Sequence, residues 1–151
     1  QEWLLFLHAD TRLSEGWGRV VSSFLKQPKS ESSAGVFSFR LDDDGIRARI
    51  LEQLVAIRAS LLALPYGDQG LLISRVLYDE IGGFADIPLM EDVDIVRRIG
   101  RRRLRRLPAS VVTSAEKYRR DGYFLRSARN LFCLGLYFVG VPPSRIVKIY
   151  G

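Results

Sequence analysis

Trp3-Leu4-Leu5-Phe6-Leu7-His8-Ala9-Asp10-Thr11 opens the chain with five apolar residues followed at once by a polar cluster. An apolar run of that length without alternation reads as a strand buried on both faces, which requires helices over both sides of a sheet. Working outward, residues 15–27 place Trp17, Val20, Val21, Phe24 and Leu25 on one helical face, with Ser14 as candidate N-cap and Pro28 as the stop. Residues 34–41 alternate in part through Val36, Phe37 and Phe39, then run into the turn Asp42-Asp43-Asp44-Gly45. Beyond it Ile50, Leu54, Ile57, Leu61 and Leu64 repeat at spacings of four and three, which predicts a long helix with that face in the core, ended by Pro65.

The second half continues the pattern. Gly70-Leu71-Leu72-Ile73-Ser74 reads as a short strand, 75–81 as a short helix stopped by Gly82-Gly83, and a further helix begins near Met90 and runs into an arginine-rich segment. Ser110-Val111-Val112-Thr113 reads as another strand and 121–140 as an amphipathic helix. Strands alternating with helices predict one α/β domain over residues 1–151, built on a mostly parallel sheet flanked by helices.

Composition agrees with a globular chain. Of the 151 residues, 47% are hydrophobic and 26% charged, outside the disordered range, and a chain of that length has enough volume for a real core. The single cysteine, Cys133, excludes an internal disulfide and, within Leu131-Phe132-Cys133-Leu134, reads as a small buried hydrophobe. A reducing, cytoplasmic compartment is the expectation. The longest apolar stretch, 123–141, is broken by Arg126, Arg129 and Asn130, so the chain is expected to touch a membrane at its periphery rather than cross one. The chain lacks an initiator Met and begins as strand, so a natural start upstream is expected.

The net charge of +6 is uneven: residues 1–96 carry 9 basic and 15 acidic side chains, 97–129 carry 12 and 2, and 130–151 carry 2 and none. Basicity confined to one segment points to a localised anionic partner: a diphosphate, a lipid headgroup surface or an RNA.

Three constellations can carry chemistry. His8, Asp10 and Thr11 follow a strand, where open α/β sheets bind ligands, and an Asp there can hold a divalent cation or simply form the turn. Met90-Glu91-Asp92-Val93-Asp94 places three carboxylates at a helix start; the macrodipole favours acids there, and Asp94 can pair with Arg98 one turn on, leaving Glu91 and Asp92 to be explained. Tyr66-Gly67-Asp68-Gln69-Gly70 is a loop able to position a substrate hydroxyl, or a rigid turn.

Taken in order, Leu4-Leu5-Phe6-Leu7-His8-Ala9-Asp10-Thr11, Gly67-Asp68-Gln69-Gly70, Ile81-Gly82-Gly83-Phe84 and Pro88-Leu89-Met90-Glu91-Asp92-Val93-Asp94 resemble family 2 glycosyltransferases, over a span from about Trp3 to Tyr150. The likeness is closest to the bacterial subgroup called radical-SAM/selenodomain-associated transferase 2. It implies a GT-A-like fold represented by its C-terminal two-thirds, without the N-terminal strands that cradle the nucleotide base. It implies inverting transfer of a sugar from a nucleotide-diphosphate donor to an acceptor hydroxyl. Asp10 then matches the last Asp of the family's Asp-X-Asp motif and would bind donor and metal, Mg²⁺ or Mn²⁺, with His8 beside it in place of the first Asp. Asp92, with Glu91, matches the acidic pair that holds the catalytic base, and Gly67, Asp68, Gln69 and Gly70 fall on the acceptor side.

Further expectations follow. The N-terminally truncated form should be silent alone and should self-associate through the open edge of its first strand. A lipid-linked acceptor with peripheral membrane contact would suit a surface of Arg97 to Arg106 with Arg119, Arg120, Arg126 and Arg129, which can equally be a solvated helix face. The competing classes are a basic nucleic-acid-binding protein, for which seven arginines within 97–106 are the motive, and a noncatalytic partner-binding protein. Few aromatics interleave with those arginines, so nucleic acid is the weaker expectation.

Overall fold

A computed structural model describes residues 2–62 and 69–150, the side chains of 60–62 excepted. The elements in chain order are β1 (Trp3–Phe6), β2 (Thr11–Leu13), α1 (Trp17–Leu25), β3 (Ala34–Leu41), α2 (Ile46–Leu62), β4 (Leu71–Ser74), α3 (Arg75–Glu80), α4 (Glu91–Ile99), β5 (Leu104–Thr113), α5 (Glu116–Asp121), α6 (Tyr123–Phe138) and α7 (Pro143–Tyr150). The protein is mixed α/β, with one five-stranded sheet in the order β1-β4-β3-β5-β2.

The first strand is covered on both faces, as its unbroken apolar run requires. Leu4 and Phe6 pack with Leu77 of α3 and Ile95, Val96 and Ile99 of α4. Trp3 and Leu5 face the other way, onto Phe24, Val20 and Val21 of α1. Phe37 and Ile73 are fully buried within these two layers, and each contributes roughly 1.5–3 kcal/mol by leaving water.

The sheet is mixed rather than mostly parallel. Among the described residues only β3 and β5 pair in parallel, whereas β1 with β4, β4 with β3 and β5 with β2 are antiparallel. Strand–helix–strand alternation gives a parallel pair only when the helix returns the chain to the end where the first strand began. Here β4 enters from the opposite end and lies antiparallel between β1 and β3.

Three local readings change as well. The last strand begins at Leu104, not Ser110, so Arg105 and Arg106 belong to a strand. Pro108, which has no N–H to donate, falls where the register against β3 shifts between Val36 and Ser38, the place in a sheet interior that accepts a proline. On α2 the face inside is Ala48, Leu51 and Val55, while Ile50, Leu54 and Ile57 are exposed. A stripe of period 3.6 says that a helix is amphipathic, but this helix is apolar around most of its circumference, and the tertiary contacts choose the smaller face. The helix read over 121–140 is present as α6, Tyr123–Phe138, with Gly122 at φ 84° separating it from α5. Ser14 does not cap α1; its Oγ accepts from the Ser110 N–H at 3.1 Å and ties the β2–α1 turn to β5.

Candidate functional site

The site grows from how β1 leaves the sheet. Past Phe6 the chain turns, with the Thr11 N–H donating to the His8 carbonyl at 3.1 Å, and comes back as β2, which pairs Thr11 with Thr113 at the end of β5. The two threonine hydroxyls meet at 2.9 Å, and the Ser114 N–H donates to the Asp10 carbonyl at 3.1 Å. Asp10 is thereby fixed beside α5, and Lys117 donates to its Oδ2 at 2.9 Å. His8 Nδ1 stands 3.5 Å from Oδ1 of the same carboxylate. Partial burial works against ionising Asp10, but the ammonium of Lys117, by hydrogen bond and by charge, outweighs it with help from His8, and holds the carboxyl below its ordinary range.

The acidic pair is delivered by a strained turn. Met90 precedes α4 with φ 69°, a left-handed conformation uncommon outside glycine, and its buried side chain is locked among Val93, Cys133, Leu134 and Ile146. Glu91 and Asp92 follow in the first turn, where the helix dipole favours carboxylates. Asp92 Oδ1 accepts from the Val93 N–H at 2.7 Å. Asp94 is used as the sequence implies: its Oδ2 accepts from Arg98 Nε at 2.8 Å.

Two cavities open against this turn. The first, about 190 Å³, brings together His8, Asp10, Glu91, Asp92, Lys117 and Arg126, with Tyr118, Asn130 and Tyr150 on its wall. The second, about 290 Å³, is more apolar, lined by Phe6, Leu7, Val36, Phe84 and Ile95, and it shares His8, Glu91 and Asp92 with the first. These three side chains border both spaces. Arg126 holds Asp121 through Nη1 at 3.0 Å and lies over the Tyr118 ring, and its buried Nε has no partner among the described residues.

Of the residues singled out in sequence, His8, Asp10, Glu91 and Asp92 therefore share one place. Gly70 lines the second cavity at φ 67°, where a Cβ would come within 2.9 Å of Leu7. Gln69 is buried and does not line either cavity. Gly67 and Asp68 lie outside the described residues. Lys117, Tyr118, Asn130 and Tyr150 escaped the sequence reading as site residues, and Arg126, expected on a headgroup-facing surface, lies inward at the first cavity. A signal existed for two of them: Arg126 and Asn130 are polar residues one helical turn apart in an otherwise apolar helix, the spacing of a shared inward face.

The donor set fits a resident divalent cation poorly. Oδ2 of Asp10 already faces the Lys117 ammonium, and among the described residues no three His, Cys, Asp or Glu side chains converge as Mg²⁺ or Mn²⁺ would require. Several arginines of 97–106 have intramolecular partners. Arg98 is committed to Asp94, Arg103 pairs with Glu80 at 2.8 Å, and Arg97 lies over the rings of Tyr137 and Phe138. Among the described residues no helix is long and apolar enough to cross a membrane. Comparison of the chain with protein-family models, with curated proteins and with solved structures returns no match.

Proposed function

We propose that the chain carries the acceptor side and the diphosphate side of an inverting glycosyltransferase of the family 2, GT-A-like kind that its motifs resemble. The observation that supports this reading is the first cavity. It gathers a carboxylate pair, an ammonium and a guanidinium from three separated segments of the chain, 8–10, 91–92 and 117–126. Displacement of a nucleoside diphosphate from a sugar needs both kinds of group. The acceptor hydroxyl loses its proton to the Asp92 carboxylate as its oxygen bonds to the anomeric carbon. The bond from that carbon to the diphosphate oxygen breaks on the opposite face, so the centre inverts. The charge that collects on the leaving diphosphate is offset by Lys117 and Arg126, in the role a metal would otherwise fill. Asp10 holds Lys117 in place, and Glu91 stands beside the base at the same helix end. The second cavity, bordered by Asp92 and Gly70, is where the acceptor would approach.

Asp92→Asn in the full-length protein tests the assignment. Turnover should fall by about 10²–10⁴, the usual scale of general base catalysis, with donor affinity nearly unchanged because the base acts on the acceptor. Retention of more than about a tenth of the rate would remove Asp92 from the role.

A further inference from the structure

The last long helix is amphipathic in an inverted sense. On α6 the side chains that line the interior include Arg126 and Asn130 at the first cavity, and Arg129 lies over the Tyr150 ring. The positions facing solvent are apolar without exception: Phe124, Leu125, Ala128, Leu131, Phe132, Gly135 and Phe138, continued by Val139. Phe124 is 87% exposed and Leu125 70%, an unusual fate for such residues when several of them share one face. The helix is about 24 Å long at 1.5 Å per residue, so the face is extended. α2, which meets α6 where Tyr123 packs with Ala48, Leu51 and Val55, also turns Ile46, Ile50, Leu54 and Ile57 to solvent.

We infer that the outer face of α6 docks in the plane of an anionic bilayer. Two features select that occupant. Residues 122–151 contain no acidic residue, Arg126 and Arg129 turn inward, and the exposed cations beside the strip are Arg145 and Lys148 of α7, which packs on α6, and Arg97, over the Phe138 ring at the end of the face. A cationic border around an apolar, aromatic strip is the composition of an interfacial helix on negatively charged headgroups. The strip itself offers no hydrogen-bonding side chain, whereas a protein interface carries about one hydrogen bond per 100–200 Å². A second copy of the chain would bring two borders of the same sign together. The inference stands apart from the glycosyltransferase reading: it concerns the opposite side of α6 from the cavity, and it holds whatever reaction the cavity performs. It also moves the expected membrane contact from a surface of Arg97 to Arg106, Arg119, Arg120, Arg126 and Arg129 to the apolar strip.

Flotation of the 151-residue chain with vesicles of phosphatidylcholine alone, and of phosphatidylcholine mixed with phosphatidylserine, tests the inference. The chain should float with the anionic vesicles and only weakly with the neutral ones. Phe124→Ser combined with Phe132→Ser should lower the partition about tenfold or more, given the apolar area withdrawn, with an unchanged circular dichroism spectrum. Arg145→Gln combined with Lys148→Gln should erase the preference for phosphatidylserine. A polarity-sensitive fluorophore on Leu125→Cys should shift to the blue on adding anionic vesicles, a readout that needs no loss of binding. Absence of flotation at low salt, an unshifted fluorophore, or wild-type flotation by a folded double serine variant would overturn the inference. So would dimerisation that the double variant abolishes without any flotation, which would give the face to a second copy.

Discussion

Replacing Lys117 by Met removes the ammonium from Asp10 while keeping most of the side chain's volume. The pair is close, with Nζ 2.9 Å from Oδ2, but only partly withdrawn from water: the Asp10 side chain is 27% exposed and that of Lys117 49%. At an effective dielectric of 20 two charges 4 Å apart attract by about 4 kcal/mol. Half-exposure of the lysine and the entropy of holding it reduce the net to the range of exposed pairs, about 0.2–1 kcal/mol. For a chain of this size about 1 kcal/mol moves the melting midpoint by about 2–4 °C, so Lys117→Met should lower Tm by no more than about 4 °C at neutral pH. The pH dependence follows from Asp10, whose folded-state pKa lies below its ordinary value of 3.8. A group depressed on folding adds stability above its unfolded pKa and loses it as pH falls through the folded value. The gap between wild type and variant should therefore close below about pH 4. Scanning calorimetry from pH 7 downward reads both quantities. The loss in turnover of the full-length variant should exceed the loss in stability, because the ammonium faces a developing diphosphate only in the transition state. A gap that persists undiminished well below the carboxylate range, or wild-type turnover in the variant, would refute the role given to the pair. Stabilisation of the wild type by Mn²⁺ at micromolar concentration would equally show that Asp10 is available to a metal.

Other expectations concern the fold. Gly35→Ala would bring a Cβ within 2.8 Å of Leu107 Cδ1 in a packed layer, so denaturant unfolding should show a loss of about 1–3 kcal/mol, as overpacked cores do. Cys133 is buried among Met90, Val93, Leu134 and Ile146, and burial pushes its thiol pKa up; a disulfide reagent at pH 8 should modify it only as fast as the protein opens, and immediate reaction would contradict its place in the core. The outer edge of β1 is unpaired among the described residues, so light scattering should detect concentration-dependent association that Leu5→Pro abolishes if a folded variant is recovered, and a strictly monomeric wild type would argue against edge pairing.

How much of this was legible beforehand differs by level. The strand Ala34–Leu41 was read to its ends, because alternation and the Asp-rich turn are local signals. The direction of Leu71–Ser74 was not legible, since a strand's sense depends on which end of the sheet it enters. The start of the strand at Leu104 was hidden because Pro108 opposes strand propensity, and only the pairing of Leu104, Arg105 and Arg106 with β3 carries the strand back past it. In the site, the acidic residues were found because carboxylates at a strand end and a helix start are conspicuous. Lys117 was not found, since its partner Asp10 lies 107 positions away and only the β2–β5 pairing brings them together. On α2 and α6 the periodicity was plain, but which face meets the core was decided by contacts with other elements.

The most direct measurement is a screen of sugar nucleotides against the full-length protein, reading release of nucleoside diphosphate and, by NMR, the anomeric configuration of the product. The account predicts release from at least one donor, inversion at the anomeric carbon, and loss of both release and product in Asp92→Asn; no release from any donor, or a product of retained configuration, would contradict it.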